Sequence, residues 1–186
     1  SDKSTNTSKL SLLGVKEVVK KRSVWLQAII LLCAYVGYKC TDDFSLYASD
    51  AFGYNDVHAA HIGTISFWVR PFATLIAGLL GDRFMHSRMI MGCFLIVILG
   101  SAVIYLGLLQ PGMFTFIFFT IAITSIGIYG LRGLYFAVTK EANVPLIYMG
   151  SAVGFVSLIG YTPDVFMGPL MGLVLDSNRL LQANNI

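Results

Sequence analysis

The sequence predicts an all-α membrane protein, a multi-spanning transmembrane helical bundle with five spans. Three observations carry that expectation. Of the 186 residues, 56% are hydrophobic and only 12% charged, and the mean hydropathy is +0.73. A soluble domain carries about 25% charged residues, and half that complement cannot clothe a water-facing surface. The apolar residues also fall into five runs, each at or above the ~20 residues that a helix needs to cross the hydrocarbon layer. Finally, Gly78–Arg88 packs an acid and several bases into a short joint between two of those runs, which reads as a tight turn at the water boundary.

The spans follow from the positions of polar and turn-forming residues. The first runs from about Val24 to Tyr47 and the second from Val57 to Leu80. The third covers Met89 to Leu109, and Gln110-Pro111-Gly112 separates it from a fourth at Gly112 to Val138. The fifth extends from Pro145 to Leu175, with Pro145 suited to a first helical turn because its missing N–H costs nothing there. Residues 1–22 are a basic, partly amphipathic segment, and residues 177–186 a tail on the opposite side. The second part of this segment, Leu10 to Lys20, reads either as a surface helix on anionic headgroups or as a basic flank that sets topology. No short apolar core with a cleavage site marks a signal peptide.

The bases are distributed unevenly. Lys20, Lys21 and Arg22 precede the first span, Arg83 and Arg88 lie between the second and third, and Lys140 lies between the fourth and fifth. The other side holds Asp50, Asp56 and Asp176, with Arg179 its lone base. The positive-inside rule therefore places the N-terminus and the Gly78–Arg88 joint in the cytoplasm. The net charge of +3 is no nucleic-acid footprint. Cys33, Cys40 and Cys93 sit inside apolar runs without metal-ligand spacing, and neither a metal nor another cofactor is expected.

A charge near the bilayer centre costs at least ~2.5 kcal/mol, so it marks a pathway or a partner. Four spans carry one: Lys39, Asp42 and Asp43 in the first, Arg70 in the second, Arg132 in the fourth and Asp164 in the fifth. The third carries none, which predicts a peripheral, lipid-facing helix. Arg70 shares a stripe with Gly63, Phe67, Thr74, Ala77 and Gly81, so it faces a cavity or a neighbouring helix. There it either clamps a carboxylate or phosphate in two-pronged fashion, or pairs with Asp42, Asp43 or Asp164. Lys39 either neutralises Asp42 and Asp43 on its own helix or joins Tyr35 and Asp42 in lining a cavity. Arg132 lies near the cytoplasmic surface and can snorkel to it, or serve the same cavity.

Asp164 follows Pro163, which reads as a bend in the fifth span. Gly150, Gly154, Gly168 and Gly172 form a small-residue stripe that would let helix backbones approach closely. His58 and His61 lack a third metal ligand and read as interfacial residues. Neither a nucleophile elbow nor a phosphate loop is present, so enzyme activity has no support in the sequence.

Gly78, Asp82-Arg83 and Arg88 resemble the cytoplasmic loop signature of the major facilitator superfamily, which joins the second and third helices of each six-helix half. Met85 replaces the usual glycine, and Ser87 stands where a base is frequent. Gly168-Pro169-Leu170-Met171-Gly172 is similar to the G-P-x-x-G element of the family's fifth helix. The resemblance implies helices one to five of a half, more in keeping with the C-terminal one (helices seven to eleven), with the remaining half of the same transporter as a partner. It implies a secondary active transporter moving a small organic solute, anionic if Arg70 and Lys39 bind it, in the manner of organic-anion and organophosphate carriers. On that reading Arg70, Lys39, Tyr35 and Arg132 bind the solute, and Asp42, Asp43 and Asp164 couple protons or balance charge. Gly78, Asp82, Arg83 and Arg88 gate the joint, while Gly150, Gly154, Gly168, Pro169 and Gly172 pack helices. The alternative is a non-transporting membrane scaffold or sensor whose charges only pair helices.

Overall fold

A computed structural model describes residues 14–46, 49, 53, 55–110, 112–137 and 144–184. Residues 1–13, Tyr47, Asp50, Pro111, Val138 and Lys140, all used in the sequence reading, lie outside the described residues. Among the described residues every regular element is helical. The principal helices are α1 (Arg22–Asp42), α2 (Asp56–Arg83), α3 (His86–Tyr105), α4 (Phe114–Leu134), α5 (Met149–Gly160) and α6 (Pro163–Asn184). Five stretches are long and apolar enough to cross a membrane, and the fifth is α5 with the first part of α6. The chain is an all-α membrane bundle. Its exposed side chains agree: Leu26, Trp68, Ile98, Leu158 and Val165 all turn outward, as a lipid-facing surface allows and a water-facing one does not.

α4 is the axis. It buries ten of its 21 residues, whereas α3, with no acid and no lysine or arginine beyond Arg88 in its first turn, buries only Ile90 and Cys93. α4 and the residue following it contribute to all three core clusters: Tyr135 against α1 and α5, Leu131 and Leu134 against α2 and α3, and Ile117 and Ile121 against the start of α2. Glycines make the close approaches possible. A Cβ on Gly133 would meet the Thr74 carbonyl oxygen at 2.8 Å, and one on Gly127 would meet Ile96 and Val97 at 3.0 Å.

Helix ends depart from the hydropathy limits where local chemistry decides. Asn55 caps α2 by accepting from the His58 N–H at 3.0 Å, and the His58 ring also contacts that oxygen at 2.9 Å. α2 then runs past Leu80 to Arg83, so Asp82 and Arg83 stand in its last turn rather than in a loop. The loop proper is Phe84-Met85, with the Phe84 N–H bonded to the Leu80 carbonyl at 2.9 Å. Gly107 ends the run of α3 at φ +65°, a conformation glycine adopts without steric penalty.

Leu146–Tyr148 form a 3₁₀ turn, so α5 starts at Met149, later than Pro145 suggests. Tyr161-Thr162 interrupts the fifth span just before Pro163, and α6 continues to Asn184 through what was expected to be a tail. Residues 14–19 are helical, with Val18 buried against α1 and α5 and the Trp25 indole donating to the Val19 carbonyl at 2.8 Å. This segment is therefore seated on the bundle. Alternation of helix direction brings Lys20, Lys21 and Arg22 to the same end as Arg83 and Arg88. Gln27 bonding to the Tyr135 carbonyl (3.2 Å) and Gly81 close against Leu134 and His86 mark that end.

Candidate functional site

Two polar clusters meet on α1. In the first, Arg70 and Arg132 converge on Tyr38. The Arg132 Cζ lies 4.2 Å from the Tyr38 ring centroid and the Arg70 Cζ 4.8 Å, and Arg70 also donates to the Tyr38 hydroxyl. Tyr129 completes the setting, its ring 5.4 Å from the Arg70 Cζ and 6.2 Å from the Tyr38 ring. Phe67 lies at 5.9 Å on the more open side. A guanidinium over an aromatic face gains about 1–2 kcal/mol when desolvated, which offsets part of the expense of burial.

The ion pairs considered for Arg70 are not formed, because its neighbours here are rings. Among the described residues no carboxylate pairs with either arginine. Arg132 does not snorkel away, but turns inward to Tyr38. Its Nη1 is buried without a hydrogen-bond partner among the described residues.

The local sequence explains how Arg70 is held. Pro71 follows it inside α2 and lacks the N–H that would bond the Phe67 carbonyl. The Thr74 hydroxyl donates to the Arg70 carbonyl at 2.8 Å and approaches the Tyr129 carbonyl at 3.3 Å, tying this turn to α4. A buried set of hydroxyls lies behind the rings. Ser66 stands 3.1 Å from Ser125 and 3.2 Å from the Tyr129 hydroxyl, which is itself 3.3 Å from Thr41. Thr41 donates to the Tyr38 carbonyl at 2.7 Å. The stripe expected around Arg70 thus faces α1 and α4, with Ala77 buried and only Phe67 turned well outward.

The second cluster is neutralised. Lys39 reaches across to Asp164 Oδ1 at 2.8 Å, and the Tyr35 hydroxyl donates to Asp164 Oδ2 at 2.9 Å. The Lys39–Asp42 contact on the same helix is 3.9 Å. The stronger partner is therefore on α6, because the break at Tyr161-Thr162 brings the first turn of α6 back against α1. Tyr161 packs edge-on to Tyr35 at 4.8 Å, and its hydroxyl lies 3.3 Å from that of Tyr135. Beyond this contact, Lys39, Asp42, Asp43 and Asp164 line a cleft of 370 Å³ with Gly168 and Gly172 on its far wall. Tyr35 and Tyr38, with ring centroids 5.4 Å apart, make the two clusters contiguous.

The remaining expected residues fall elsewhere. Asp82 lies 3.8 Å from His86 at the joint, and Gly78 opens onto free space whereas Gly81 is tightly packed. Gly150, Gly154, Gly168 and Gly172 have no neighbour within 4 Å of an added Cβ, so the stripe packs against nothing in the described structure; Pro169 lies inside α6 beside it. Tyr38, Tyr129, Ser66 and Thr41 were missed by sequence reasoning. A usable signal existed, since a tyrosine inside a spanning run must find a partner for its hydroxyl.

The bundle and its intramembrane charges define an integral membrane protein. A 44-residue stretch, 24% of the chain, is 50% identical to the inner membrane protein YqcE of Escherichia coli (strain K12). The matched stretch spans 10% of that protein's length. No protein-family model matches the chain, and no solved structure matches it.

Proposed function

We propose that the chain is part of a secondary active transporter of the major facilitator type that moves a small organic anion across the inner membrane by alternating access. The observation that carries this reading is the convergence of Arg70 and Arg132 on Tyr38 with no carboxylate partner among the described residues. Cation–π contact offsets only part of the expense of two intramembrane guanidiniums, and an oxyanion suits the donors that remain, Arg132 Nη1 among them. Tyr35 and Lys39 continue the polar surface. Lys39 is already balanced by Asp164, so it acts by exchanging partners, with Asp42 at 3.9 Å the nearest alternative and Asp43 on the same cleft.

Further support comes from the Gly78–Asp82–Arg83–Arg88 and Gly168-Pro169–Gly172 signatures, from an α3 that is mostly exposed and uncharged beyond Arg88, and from the relative named as an inner membrane protein. The gathering of Lys20, Lys21, Arg22, Arg83 and Arg88 at one end supports a cytoplasmic N-terminus. On this reading the remaining half of the transporter completes the cavity, and this chain supplies helices seven to eleven.

Reconstituted uptake of labelled carboxylates and phosphate esters by the full-length protein tests the proposal. Arg70→Ala is expected to lower uptake efficiency roughly 30- to 1000-fold, the range for removing one partner of a desolvated charge contact. Unchanged uptake in that variant would sink the binding role. The Lys39–Asp164–Tyr35 contact favours a second reading, a scaffold or sensor whose charges join helices. Absence of uptake across a broad panel of solutes would favour it.

A further inference from the structure

α2 and α3 are joined through only Phe84 and Met85, yet each packs far more extensively on α4 than on the other. The wedge left between them is a groove of 620 Å³ with an almost wholly apolar lining. Phe72, Ile76 and Leu80 of α2 form one wall, Met89 of α3 stands opposite, and Ile126 and Gly130 of α4 make the floor. Phe72 and Ile76 are themselves well exposed, at 61% and 54%.

The groove ends at a cationic mouth. Leu80 and Met89 close it at the joint, one turn from Arg83 and one residue from Arg88. Both arginines are exposed, and among the described residues neither guanidinium makes a hydrogen bond or ion pair. Asp82, the acid of the joint, lies 3.8 Å from His86 instead. An apolar channel leading to two uncommitted guanidiniums matches a molecule with a hydrocarbon chain and an anionic head.

We infer that this groove is a specific site for one anionic phospholipid, with an acyl chain along Phe72, Ile76 and Leu80 and the phosphate against Arg83 and Arg88. Surrounding lipid tails are as apolar as the groove, so the chain contributes fit and little selectivity. Selectivity resides in the head, where guanidinium donors match phosphate oxygens two at a time. The site is independent of what the Arg70 cluster binds.

Native mass spectrometry of the full-length protein, titrated with phosphatidylglycerol or with phosphatidylcholine of the same chains, tests it. One phosphatidylglycerol is expected to be retained, roughly thirty-fold more tightly than phosphatidylcholine, as two arginines near a membrane surface allow. Arg83→Gln with Arg88→Gln should remove that preference, whereas Arg83→Lys with Arg88→Lys should keep it within about three-fold. Ile76→Trp, which fills the groove and leaves the charges intact, should reduce retention of both lipids. Equal retention of the two lipids by the native chain would overturn the inference. So would an undiminished preference in the double glutamine variant or undiminished retention in Ile76→Trp.

Discussion

α4 and α6 are both apolar, glycine-containing helices, and they use those glycines in opposite ways. On α4, Gly127 and Gly133 sit where neighbouring helices press closest, and ten residues are buried. On α6, Gly168 and Gly172 open onto space, and among the described side chains only Pro163 and Met167 are buried. α4 is held along its length, whereas α6 is held by its first turn, through Asp164 and the tyrosines beside it. The same residue type is a packing requirement in one helix and a free surface in the other. Composition alone therefore does not reveal which helix is packed along its length and which at one end.

The largest effect that would test this contrast belongs to Gly133→Val. Its Cβ would meet the Thr74 backbone oxygen at 2.8 Å, and backbone yields less readily than a side chain. A loss of about 3 kcal/mol or more is expected, read as loss of folded protein in detergent thermal melts. Next comes Tyr129→Phe, which leaves the buried Ser66 and Thr41 hydroxyls short of a partner. It should destabilise by about 1–3 kcal/mol with little change in shape, measurable by the same melts.

Asp164→Asn acts on the other helix. It weakens the attachment of α6 to Lys39 and leaves α4 untouched, so amide exchange should rise by about two- to five-fold in α6 and remain unchanged in α4. A uniform rise in both helices would break the contrast. The smallest effect is that of Gly168→Ala, where open space and a helical backbone favour the substitution by about 0.5–1 kcal/mol. A destabilising result would mean that α6 has a close neighbour at that face.

Hydropathy together with the turn signal at Gln110-Pro111-Gly112 located the five spans, and Pro163 pointed to the break that the structure has at Tyr161-Thr162. The uncharged third run became a mostly exposed helix, with Ile90 and Cys93 its buried residues. The site was only partly legible. Periodicity showed that Arg70 shares a face with Thr74 and Ala77, but a period along one helix carries no information about what stands opposite. Arg70 was therefore left between a bound anion and an ion pair with Asp42, Asp43 or Asp164, and the ring of Tyr38 that stands opposite it was foreseen by neither reading. Lys39 was similarly ambiguous because its near partners in sequence, Asp42 and Asp43, compete with Asp164, far away in sequence and close in space. The joint was misjudged in length, because the charges of Asp82 and Arg83 looked like a loop although the last turn of a helix can hold them at the membrane surface.

The buried hydroxyls behind Tyr38 have one more property, which comes from counting hydrogens. Thr41 gives its single hydrogen to the Tyr38 carbonyl, so the Tyr129 hydroxyl must supply the contact between them. Tyr129 then has no hydrogen left for Ser66, which must donate to it, and Ser125 must in turn donate to Ser66. Four hydrogens serve four contacts, all pointing the same way, toward one peptide oxygen on α1. The row is thus a polarised chain with its sense fixed at one end, and it has no spare proton to offer an incoming molecule.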